Sequence, residues 1–133
     1  MLNWQINMQL VDTNIVLRWL LDDHKELSPK AEKLLEQAKP STFLVTDIVV
    51  AEITYVLRST GRDRKQTSEA LLLVGRTEAF KYENEELVMT IINLLIEINL
   101  DFADCYLLAR TCREKLGLVT FDNLLEKTYF ADK

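Results

Sequence analysis

Short apolar runs that do not alternate, each followed by a longer stretch with helical period, constrain this chain more than any other feature. "INMQLV" at 6–11, "FLV" at 43–45, "EAFKYE" at 78–83 and "LVTF" at 118–121 read as strands, the third by its alternation. Between them the pattern is helical. "DTNIVLRWLLDD" is apolar nearly all round. Ser28 to Ala38 opens with a capping serine and a first-turn proline, and 47–60 stops at Gly61. Further helices are predicted over 63–74, over 84–98 with Leu87, Val88, Ile91, Leu94, Leu95 and Ile98 as its apolar stripe, over 101–117 ending at Gly117, and over 122–128 before a closing "TYF". Buried strands alternating with helices predict a parallel sheet with helices packed on it. The 133 residues make one domain, 1–133, and bury roughly two-thirds of the unfolded surface without help from disulfides.

Composition removes whole classes of function. With 3 Gly there is no phosphate-cradling loop, and with 1 His there is no Ser-His-Asp or Cys-His arrangement. Cys105 and Cys112 fit neither a metal pair nor a disulfide framework and suit a reducing compartment. No apolar run reaches the roughly 18 residues of a membrane span, and the first 17 residues carry no Lys or Arg, so the cytoplasm is expected. The net charge of -5 excludes a protein that grips nucleic acid with its whole surface.

Acidic residues stand where a parallel sheet places its sites, beyond the carboxyl ends of the strands. Asp12 follows the first strand and Asp122 the fourth, and each fits helix capping as well as catalysis. Glu52 shares its helix face with Ile48, Val49, Tyr55 and Val56, an apolar stripe on which a lone carboxylate is costly to bury, so it needs a partner unless it stands at an edge and reaches water. Asp101 and Asp104 begin a later helix, where capping and the helix dipole also explain acids. Two carboxylates about 5 Å apart repel by roughly 3 kcal/mol at an effective dielectric near 20. A convergent set therefore calls for a cation, and hard oxygen donors suit Mg²⁺ or Mn²⁺. Zinc is disfavoured because the single His24 lies in the charged run "DDHKE". Carboxylate-held metal commonly serves phosphodiester hydrolysis.

"LVDTNIVLRWLL" (10–21), "TDIVVAEITYVLRS" (46–59), "LDFADCYLLARTCREKLG" (100–117) and "LVTFDNLLEK" (118–127) together resemble the PIN domain, the nuclease fold of VapC-type toxins. The resemblance implies a three-layer α/β/α sandwich around a parallel sheet of four or five strands. It implies that Asp12, Glu52, Asp104 and Asp122 are the catalytic and metal-holding acids, with Asn14, Thr120 and Asp101 in support. It further implies cleavage of single-stranded RNA with Mg²⁺ or Mn²⁺, a small antitoxin as partner, and a homodimer. Residues 1–7 form an extension ahead of the first motif, with Met8 as an alternative start, and the last strand is short or absent.

Backbone contacts to RNA need positive charge. "RSTGRDRK" supplies Arg58, Arg62, Arg64 and Lys65 at a helix–helix turn, about 9 Å along the helix from Glu52 at 1.5 Å per residue. A solvated turn explains them equally. Arg18 suits the site or a surface ion pair, Trp4 could stack a base, and Trp19 suits the core or a dimer contact. Two readings compete with the nuclease. One is a PIN-like binding or scaffold module poor in metal. The other is a phosphotransfer enzyme or receiver, against which stand the "TN" after Asp12 and the Asp, rather than Lys, after "LVTF".

Overall fold

The computed structural model describes residues 7–131. The element order is β1 (Gln9–Leu10), α1 (Thr13–Leu21), α2 (Leu27–Gln37), β2 (Phe43–Val45), α3 (Asp47–Ser59), α4 (Arg64–Arg76), β3 (Phe80–Tyr82), α5 (Glu85–Glu97), α6 (Phe102–Glu114) and α7 (Asn123–Ala131). Trp4 and most of the expected extension lie outside the described residues.

The three strands pair in parallel in the order β1-β2-β3, with Gln9, Phe43 and Phe80 in one row and Leu10, Leu44 and Lys81 in the next. Parallel neighbours need crossovers, and α1–α2 and α3–α4 supply them. The sheet buries one face. Val45, Phe80 and Tyr82 are buried there, the Trp19 ring meets Phe80 edge-on at 5.4 Å, and the Tyr82 hydroxyl donates to the Leu71 carbonyl of α4 at 2.5 Å. On the other face Leu10 is 75% exposed, Lys81 is exposed and Leu44 is half-buried, so among the described residues that face is only partly covered. The remaining core lies between helices: α4 packs on α5, α5 on α6, and α1 on α2 and α3.

Two expectations are corrected here. The sheet has three strands among the described residues, not four or five, because 118–121 does not pair: Val119 and Phe121 are fully exposed. The Thr120 hydroxyl accepts the Asp122 N–H at 3.0 Å, and a local bond of this kind competes with a strand ladder. The sandwich is correspondingly thinner, with one sheet face only partly covered among the described residues. The closing "TYF" belongs to α7.

Helix ends follow local chemistry. Asp63 and Gln66 form a reciprocal capping box at α4. Gly61, at φ +99°, turns the chain out of α3 in a conformation that favours glycine. Ser28 does not cap α2. His24 Nδ1 does so by accepting the N–H groups of Glu26 and Leu27 at 3.2 and 2.9 Å. The α6 helix ends before Gly117, at Lys115 in the left-handed region (φ 54°).

Candidate active site

The carboxyl end of β1 runs straight into α1, and Asp12 occupies the N-cap position with extended backbone. Its exposed side chain makes no capping hydrogen bond, so capping does not account for this carboxylate. Asn14 is exposed one residue into the helix.

Glu52 is exposed on α3. The helix buries Val50, Ile53, Thr54 and Leu57, whereas Ile48 and Tyr55 are 72% and 74% exposed. Ile48 and Tyr55 beside Glu52 therefore face water while Val49 and Val56 pack at the edge of the core, and burial imposes no need for a partner on Glu52. This corrects the expectation drawn from its neighbours. The helix has a second apolar stripe, and that one was drawn inward.

The acids of the last third of the chain come together. Asp101 caps α6, its Oδ1 accepting the Asp104 N–H at 3.1 Å. Asp122 Oδ1 accepts the Leu125 N–H at 2.8 Å at the start of α7. Asp104 is half-buried between them, and its carboxyl is pushed above the ordinary carboxylate range. Desolvation is the largest cause, followed by the charge of Asp101 and a hydrogen bond to it, and then the charge of Asp122. Thus Asp101, Asp104 and Asp122 form one electrostatic group.

Chemically this donor set fits a hard divalent cation, because oxygen-only ligands whose mutual repulsion makes one of them hard to ionise gain most from a positive ion. Among the described residues, no three acidic, His or Cys side chains lie close enough together, as they stand, to hold one.

The basic turn divides. Arg64 spans to the end of α5, where its guanidinium donates to the carbonyls of Leu95 (2.9 Å), Ile98 and Leu100 (2.8 Å) and to Asn99 Oδ1 (2.9 Å). It clamps a helix terminus and has little left for a phosphate. Arg62 donates to Thr60 Oγ1 at 2.7 Å. Arg58 and Lys65 remain exposed and line one cavity of about 680 Å³. Arg18 pairs with Asp23 at 3.0 Å.

A second polar cluster escaped the sequence reading. Asp47 and Glu83 follow the carboxyl ends of β2 and β3; Glu83 Oε2 accepts the Asp47 N–H at 3.2 Å, and Asn84 donates to Asp47 Oδ2 at 2.9 Å. Asp47 Oδ1 is buried without a partner, and the cluster lines a cavity of about 500 Å³ with Tyr106, Arg110 and Arg113. The strand-end rule that picked out Asp12 would have found both acids in "FLVTD" and "FKYE".

Comparison with known proteins gives one match: the family model described as PIN domain covers residues 10–131. No curated protein and no solved structure matches the chain.

Proposed function

Because the chain belongs to the PIN domain family, whose members are typically nucleases, we propose that it is a divalent-metal-dependent endoribonuclease acting on single-stranded RNA or structured RNA loops. We further propose that it is the toxin of a VapC-like toxin–antitoxin pair, with a small antitoxin as partner and a homodimer as its working form. The observation that carries the reading is the hard-to-ionise Asp104 beside Asp101 and Asp122, an acidic group that a cation would relieve.

In this reading Asp104 and Asp12 hold Mg²⁺ or Mn²⁺, with Asp122 contributing directly or through water. Such an ion supplies a Lewis acid for the scissile phosphate and lowers the pKa of its water. Glu52, exposed and unburdened by packing, orients or deprotonates the attacking water. Asp101 holds the first turn of α6, and with it Asp104, in place. Asn14 and Thr120 steady the segments carrying Asp12 and Asp122; Thr120 does so through its bond to the Asp122 N–H. Arg58 and Lys65 supply the phosphate contacts that a protein of net charge -5 otherwise lacks.

Asp12→Asn and Asp104→Asn should each abolish Mg²⁺-dependent RNA cleavage while circular dichroism stays unchanged. Undiminished cleavage by both variants removes the assignment. The second reading, a binding module poor in metal, is favoured by the fact that, among the described residues, no three acidic, His or Cys side chains stand close enough together to hold an ion. A melting temperature that rises with Mn²⁺ supports the nuclease, since a ligand of the native state alone stabilises it by mass action. No shift together with no cleavage supports the module.

A further inference from the structure

A cavity of about 480 Å³ opens between α3 and α6, and its wall includes Tyr55, Arg58, Asp101, Phe102 and Ala103. We infer that it is a base-binding subsite: an unpaired nucleobase of the RNA strand stacks on Tyr55 and abuts the Phe102 edge while its phosphate meets Arg58. The inference rests on the nuclease reading and adds to it a residue set that selects single strands.

Four observations carry it. The volume lies within the range of small-molecule sites. Tyr55 is 74% exposed, a large aromatic surface that no described residue covers. Phe102 is half-buried and stacked on Tyr106, with ring centroids 6.2 Å apart and planes 24° apart, so it offers a fixed edge to the cavity. Arg58 is exposed, and among the described residues its guanidinium has no ion pair or hydrogen bond, in contrast to Arg62 and Arg64. Arg58 also lines the neighbouring cavity with Lys65, so two uncommitted cations continue away from the aromatic pair.

The position relative to the acids gives the subsite its use. Asp101 lines the cavity and also holds the Asp104 N–H. A strand whose phosphate lies at Asp104 thus has a neighbouring nucleotide beside Tyr55 and Phe102. Stacking on an aromatic ring tolerates any base but requires an open π-face, which a paired and stacked duplex does not present. Single-strand preference follows from this geometry without any base-edge hydrogen bond.

The test is fluorescence anisotropy of a labelled single-stranded oligoribonucleotide with the whole protein, in EDTA and again with Ca²⁺ in place of Mg²⁺, alongside a cleavage assay in Mg²⁺. Tyr55 is exposed, so its variants fold. Tyr55→Ala should weaken binding roughly tenfold or more, as loss of one stacked base does, while Tyr55→Phe stays within about twofold. Arg58→Ala should weaken binding and lower the salt slope by about 0.7, the share of one single-strand phosphate. Duplex RNA should compete poorly. If Tyr55→Ala binds like the wild type while the wild type cleaves RNA, the subsite is overturned and the nuclease reading stands. If the wild type neither binds nor cleaves RNA, both fall. If Tyr55→Ala leaves RNA binding intact but changes the mass seen by light scattering, the stripe is a protein contact and the subsite is again overturned.

Discussion

Asp101 Oδ1 accepts the backbone N–H of Asp104 at 3.1 Å and at the same time holds a negative charge beside the Asp104 carboxyl. One residue therefore builds the helix terminus and makes its neighbour harder to ionise.

A stability consequence follows for Asp104. Its carboxyl is raised in the folded protein, chiefly by desolvation. Its favourable contribution is thus fully present below the unfolded carboxyl pKa, about 3.9, and is lost as pH rises through the folded value. Asp104→Asn should melt higher than the wild type at pH 7 to 8, and the difference should vanish near pH 4. Thermal melts across that range check it, and a wild type that melts higher at neutral pH without metal contradicts it.

Arg64 joins α4 to the end of α5 through three carbonyls and one amide oxygen. Arg64→Ala should destabilise the protein by roughly 2 kcal/mol, the scale of hydrogen bonds to a charged donor. Lysine should not restore it, since its ammonium lacks the planar fork. Urea unfolding measures both variants.

Gly75 lies against the Tyr82 ring; a Cβ there would stand 3.1 Å from Tyr82 Cε2. The ring is buried and its hydroxyl is tied to Leu71 O, so it has nowhere to go. Alanine normally gains up to about 1 kcal/mol over glycine inside a helix. Gly75→Ala should instead lose about 1 kcal/mol, as overpacking does, and denaturant midpoints show the sign.

Glu52 is exposed on α3. Glu52→Gln should change stability by no more than about 0.5 kcal/mol, as surface substitutions do. RNA cleavage should fall by about a hundredfold or more, the scale of a lost general base. A variant that cleaves normally removes Glu52 from the reaction.

The two cysteines differ in reactivity. Cys105 is fully buried, and burial pushes its thiol up to about 11, whereas Cys112 is exposed. Iodoacetamide at pH 8 should label Cys112 and spare Cys105 until the protein is unfolded, as peptide mass mapping would show.

Helix boundaries were legible because their causes are local. Gly61 after α3 and Asp101 before α6 act within a few residues, and each does in the structure what its type and position predict. The side of the sheet that faces the core was also half-written, in the alternation of Phe80, Lys81 and Tyr82. The capping of α2 by His24 was hidden, because a histidine acceptor does not look like a cap.

The amino-acid order alone determined the alternation of strands and helices and the presence of acids after the strands, since these depend on period, caps and neighbours. Only the tertiary structure decided which of two apolar stripes on α3 turned inward, which left Glu52 and Tyr55 in water. It likewise decided that "LVTF" stays unpaired, that Arg64 clamps a helix instead of meeting solvent, and that Asp104 has Asp101 and Asp122 beside it. Burial and electrostatic reach are properties of distances between segments remote in the chain, and a local pattern does not carry those distances.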